Sequence, residues 1–191
     1  FVRDFGGDLC RLPSVLPVPA VRSPAAADTL RCAIRGTRDH GYLFIANYQR
    51  EIVTRDLPGV QFRLESAAPD IRLIPAAPVT IPADTLAIWP YNLDLNGTRL
   101  RYATATLWGR LGNEFVFVET PGVRPEFVTE AGPIAFGADG VATLPTATIR
   151  LLSPEAALDT YAQDGRLVRR ALPETAPVPV APVTPLASQT T

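Results

Sequence analysis

The chain has no methionine and no lysine, a single histidine, two cysteines and two tryptophans in 191 residues. Each shortage excludes something. With His40 as the one histidine, a multi-histidine metal centre is impossible, and a Ser-His-Asp triad has one possible base, placed in the turn-like stretch Thr37-Arg-Asp-His-Gly41. Two cysteines, Cys10 and Cys32, are too few for a disulfide framework or a cysteine-only metal site. A bridge between them fits an oxidising compartment, and two free thiols fit any other. The unbroken apolar runs fall far short of a membrane span. The formal net charge is −1, which leaves no electrostatic footprint for nucleic acid or an anionic membrane. Because a primary translation product starts with Met, the expectation is a chain that was processed or cut from something larger. The opening Phe1-Val-Arg-Asp-Phe-Gly6 lacks the charged and apolar regions of a signal peptide.

What is present is β pattern. Ile81 to Ala105 reads as two strand arms joined by Asn96-Gly97, the pair that a type I′ turn demands because both central residues need positive φ. On the return arm Leu100, Tyr102 and Thr104 share one face and Arg99, Arg101 and Ala103 the other. Further strands are expected over 30–35, 42–48, 50–55, 60–65, 71–74, 79–81, 115–119, 126–130, 141–144 and 147–152. Turns are expected at Gly36 to Gly41, Leu57-Pro-Gly59, Ala67 to Asp70, Leu111 to Glu114 and Thr120 to Pro125. Short strands at this spacing predict an all-β fold, an antiparallel sandwich or barrel-like domain. One helix is expected over 154–164, with Ser153 as N-cap, Pro154 at its first position and Gly165 as its stop. Phe1, Phe5 and Leu9 fall on one helical stripe, but Gly6-Gly7 interrupts it, which suggests the end of a helix that begins elsewhere.

The expected organisation is therefore three zones: 1–28, a helix remnant and a Pro-rich linker; 29–172, the β domain; and 173–191, a Pro-rich linker or tail. Chemistry is sparse. The acids sit mostly in turns (Asp39, Asp56, Asp70, Asp139) or at strand edges (Glu119, Glu126, Glu130), where solvation is the default. Phe136-Gly-Ala-Asp-Gly140 lacks the strand-to-helix setting of a phosphate loop. No cofactor and no metal ligand set is indicated. Trp89, Tyr91 and Trp108 could stack on a sugar ring, although aromatic residues are more often core. Ala, Pro and Arg are abundant in the composition, as in GC-rich bacteria.

Several stretches, in order, resemble one family. Phe1-Val-Arg-Asp-Phe-Gly-Gly-Asp-Leu9, Gly41-Tyr-Leu-Phe-Ile-Ala-Asn-Tyr-Gln-Arg50, Thr85-Leu-Ala-Ile-Trp-Pro-Tyr-Asn-Leu-Asp-Leu-Asn-Gly97, Leu100-Arg-Tyr-Ala-Thr-Ala105 and Phe115-Val-Phe-Val-Glu-Thr-Pro-Gly122 are similar to the region that follows the catalytic barrel in glycoside hydrolase family 35 β-galactosidases. The likeness runs from Phe1 to about Arg166. It implies a retaining exo-β-galactosidase whose two catalytic glutamates lie on a (β/α)₈ barrel, N-terminal to this region. Neither glutamate motif matches a position here, so no catalytic residue is carried over. The implied partners are the missing barrel and a β-galactoside. Trp89 and Tyr91 are the candidate substrate-binding residues, and Phe1 and Phe5 are expected to face the barrel. The alternative is a free-standing carbohydrate-binding or structural β-sandwich. A periplasmic or secreted bacterial setting is favoured over the cytoplasm.

Overall fold

The structure, a computed structural model, describes residues 1–17, 21, 23, 25–65 and 71–170. The expected turn at 67–70, much of the Pro-rich traverse and the tail from 173 lie outside the described residues. The elements, in chain order, are helix α1 (Val2–Arg11), then strands β1 (Ser14–Val15), β2 (Arg31–Gly36), β3 (Gly41–Asn47), β4 (Leu57–Glu65), β5 (Ile71–Ile81), β6 (Thr85–Leu95), β7 (Thr98–Ala103), β8 (Ala105–Leu111) and β9 (Glu114–Glu119). They continue with β10 (Phe127–Thr129), β11 (Gly132–Pro133), β12 (Val141–Thr143), β13 (Thr148–Leu152), helix α2 (Pro154–Leu158), β14 (Thr160–Gln163) and β15 (Arg166–Arg169).

A seven-stranded sheet runs β1-β2-β3-β6-β7-β10-β11, and a four-stranded sheet runs β12-β13-β9-β8. The two-stranded ribbons β4–β5 and β14–β15 complete the fold. Pairing is antiparallel throughout except between β9 and β13, which run parallel. The all-β, sandwich-like class expected from the strand spacing is the observed one.

Two cores follow from this layering. The first lies between the two large sheets and holds Leu95, Leu100, Leu107, Phe115, Phe117 and Ile149. The second lies on the opposite face of the seven-stranded sheet, under β4–β5, and holds Ile74, Ile81, Trp89, Tyr91 and Tyr102. Strand β6 serves both. Ala87, Trp89 and Tyr91 belong to the second core, Leu93 and Leu95 to the first. Residues two apart on a regular strand share a face. The change of side occurs at Asn92, whose φ of 51 is left-handed and turns the pleat over.

The Asn96-Gly97 turn has the expected geometry: φ is 57 and 99, Leu95 pairs with Thr98, and the Gly97 N–H is held by Asp94. Other expectations change. Helix α1 runs straight through Gly6-Gly7. Tertiary contacts offset the glycine cost: Phe5 and Leu12 are buried in the first core, and Phe1 packs against Phe5, Tyr42 and Phe44. Phe5 thus seals the chain's own core instead of facing outward. Helix α2 ends at Leu158, not 164, although Ser153 caps it as expected by accepting the Ala156 N–H at 3.1 Å. Residues 160–169 form a hairpin in which Asp164 and Gly165, with φ of 49 and 72, make a two-residue turn.

Residues 50–55 are not a strand. They fold back as a loop fastened by Asn47, whose side-chain amide donates to the carbonyls of Arg55, Ile81 and Pro82. Leu57-Pro-Gly59 is not a free turn but the irregular start of β4. The segments 71–74 and 79–81 are one strand, β5, whose register shifts against β4 between Val60 and Phe62.

Candidate functional site

The two predicted sugar-binding residues are interior. Trp89 is 1 % exposed and its indole N–H donates to the Thr120 hydroxyl at 2.9 Å. Its ring meets Phe62 edge-on. Tyr91 is buried and its hydroxyl donates to the Thr37 carbonyl at 2.7 Å. Burial pushes its pKa up to about 12. A ring face that stacks on a pyranose must be open, and neither ring is, so both residues are corrected from site to core. The reason is local: β3 and β7 flank β6, and Gly36 and Gly41 leave room for the Tyr91 hydroxyl, which a Cβ at either position would overlap.

His40 does find a carboxylate. Its Nε2 lies 3.1 Å from Asp8 Oδ1, while the Tyr42 hydroxyl donates to Asp8 Oδ2 at 2.8 Å. Burial, and secondarily Asp8, push the Tyr42 pKa well above the ordinary phenol value. With no nucleophile among these contacts, the trio fastens α1 to β3. Both cysteines are free thiols; Cys10 is exposed and burial pushes the half-buried Cys32 thiol up. Among the described residues no three His, Cys, Asp or Glu side chains gather as a metal-binding group, and no helix is long and apolar enough to cross a membrane.

Two concavities remain. One is an apolar groove of about 520 Å³ on the first-core face of the seven-stranded sheet, where the four-stranded sheet stops short. Ala33, Phe44, Ala46, Leu86, Ile88 and Thr106 line it, and Leu86 is 63 % exposed.

The other is a polar and aromatic cleft of about 360 Å³ between α1, β8 and β14. Trp108, Arg110, Arg3, Asp4 and Tyr161 form its walls. Asp4 Oδ1 accepts from Arg3 Nε at 2.7 Å, and Asp4 Oδ2 accepts the Arg110 backbone N–H at 2.9 Å. The Arg3 guanidinium first, with help from that N–H, holds the Asp4 carboxyl below its usual range. The Arg110 guanidinium is turned away. It donates to the Gly112 carbonyl and to Asn96 Oδ1, and lies 5.1 Å from the centre of the Phe115 ring. Trp108 was recognisable in the sequence as an aromatic able to stack. Tyr161 was hidden by its place in a supposed helix, and Arg3 and Asp4 carried no motif.

Neither a scan against models of known protein families nor a search of curated proteins finds a match to this chain.

Proposed function

We propose that this chain is the non-catalytic β region of a β-galactosidase-like glycoside hydrolase, whose whole polypeptide hydrolyses terminal β-galactosides by a retaining mechanism. One observation carries this reading. The stretches that resemble the family are those that interlock. Gly41 of the second stretch pairs with Tyr91 of the third, and Tyr91 pairs with Tyr102 of the fourth. Phe115 and Phe117 of the fifth share a core with Leu100 of the fourth and Phe5 of the first. Residues of this kind build a scaffold and not a reaction centre, and a scaffold role is what the resemblance implies. The exposed apolar groove adds support, because uncovered apolar surface of this kind marks a contact with another domain.

The second reading, a free-standing carbohydrate-binding module, also has an observation in its favour. Phe5 and Leu12 complete the chain's own core, as expected of a helix that belongs to this domain.

Activity measurements separate the readings. The 191-residue chain should not hydrolyse a chromogenic β-galactoside, whereas the polypeptide encoded by the complete reading frame should. Turnover by the chain alone, abolished by one acidic substitution within it, overturns the proposal. So does a complete reading frame that encodes no barrel.

A further inference from the structure

The ladder between β8 and β9 pairs Leu107 with Phe117 and Gly109 with Val116, so Trp108 is left without a partner. It is the extra residue of a β-bulge on an edge strand, a device that re-aims a side chain. Its neighbour Gly109 has no Cβ, and one there would stand 2.9 Å from Asp4 Oδ2. The bulge and the glycine therefore act together. One turns the indole into the cleft; the other lets the carboxylate of α1 stand beside it. Tyr161, 43 % exposed, faces this pair from β14.

The chemistry defines the ligand. Two aromatic rings supply surface for an apolar face. Asp4 supplies acceptor oxygens, and Arg3, with 68 % of its side chain exposed, supplies donors. Among the described residues neither the Trp108 indole N–H nor the Tyr161 hydroxyl has a hydrogen-bond partner in the protein, so both are open to a ligand. Arg3 and Asp4 neutralise each other, and Arg110 is committed elsewhere. The cleft's side-chain cations are thus committed to Asp4 or to neighbouring groups, which leaves no free guanidinium for an anion. A pyranose combines a C–H face with a rim of hydroxyls that both donate and accept. The volume lies at the small end of ligand pockets, roughly 300–1,000 Å³.

We infer that the cleft at Trp108 binds a neutral hexopyranose, one or two rings long. This site does not depend on the galactosidase reading, since a sugar could be held here whether or not a catalytic barrel accompanies the chain.

The two tryptophans make the test direct. Trp89 is buried and hydrogen-bonded, so ligand-induced changes in indole emission report Trp108. The intact 191-residue chain is titrated with methyl β-D-galactopyranoside, lactose, galacturonate and inorganic phosphate. Ligand-observed saturation-transfer NMR is run in parallel, because it does not need Trp108 as reporter. The expected result is saturable binding of the neutral sugars with a Kd on the order of 1 mM, and weaker or no binding of galacturonate and phosphate. Trp108→Ala should weaken binding at least tenfold by NMR with the melting temperature retained, and Trp108→Phe should keep most of it. If Trp108→Ala unfolds the chain, Tyr161→Ala, on the exposed wall, serves instead and should weaken binding severalfold. Absence of saturable sugar binding overturns the inference. So do binding that survives both alanine variants, and tighter binding of the anions.

Discussion

Between the two large sheets the deepest side chains are mostly pure hydrocarbon, Leu95, Leu100, Leu107, Phe115, Phe117 and Ile149, with Tyr42, bonded to Asp8, as the polar-tipped exception. Under β4–β5, beside Ile74 and Ile81, three large side chains end in polar atoms, each with a partner. Trp89 donates to Thr120, Tyr91 to the Thr37 carbonyl, and Tyr102 to Glu126 Oε2 at 3.0 Å. Asn47, 2 % exposed, closes the end of that core on three carbonyls. The first core needs volume and shape. The second also needs direction, because a hydrogen bond at a ring tip fixes where the ring lies along the strand. Buried polar groups are costly when orphaned, so the second core should respond more sharply to small chemical changes that preserve volume.

The largest expected effect tests whether the second core carries real stability. Trp89→Ala removes a fully buried indole and strands the Thr120 hydroxyl. It should cost about 3–5 kcal/mol in urea unfolding. A loss below about 1 kcal/mol would show that β4–β5 is a loosely attached ribbon and not a second core.

A smaller effect isolates the polar component. Asn47→Leu keeps the size of the side chain but leaves three carbonyls without its amide. The expected loss is about 2–3 kcal/mol, together with faster proteolysis in the loop 48–56. In contrast, Leu107→Met, a comparable swap in the first core, should cost less than about 1.5 kcal/mol. Equal costs at the two positions would erase the distinction between the cores.

The smallest effect is visible chiefly in alkali. Tyr91→Phe should cost about 1 kcal/mol at neutral pH through the lost bond to Thr37. The native Tyr91 pKa, about 12, stands above the ordinary phenol value. A raised folded-state pKa means that the unfolded chain loses the proton first. The stabilisation is complete below about pH 10 and is lost as pH rises through the folded value. The variant should therefore show a shallower loss of melting temperature above pH 10 than the wild type. Tyr42, whose pKa is also raised, leaves part of that alkaline limb in place. Identical alkaline limbs would remove Tyr91 from the titration.

What the sequence made legible was local. Asn96-Gly97 and the arms around it, the Leu111 to Glu114 turn and the Ser153 cap each depend on a few adjacent residues. What it hid was decided at a distance. Gly6-Gly7 reads as a helix break until Phe5 and Leu12 are seen in the core. Gly165 suits a helix stop and a hairpin turn equally well, and the hairpin wins because 166–169 pairs with 160–163. The Trp108 bulge is defined only by the partner residues on β9, so no reading of β8 alone could reveal it. The burial of Trp89 and Tyr91 likewise depends on β4–β5, a layer that periodicity within β6 does not announce.

The direction of one strand decides what stands beside Trp108. Because β13 runs parallel to β9, Leu152 lies opposite Val118, which itself lies opposite Thr106 on β8. The chain therefore leaves β13 at the end of the sheet nearest Thr106, and α2 and β14 are delivered there. Had β13 run the other way, its exit would sit near Glu114, about four residues or roughly 13 Å along the sheet at 3.3 Å per residue. α2 and β14 would then start from the Leu111 end of β8, and Tyr161 would approach Trp108 from the opposite direction along the cleft.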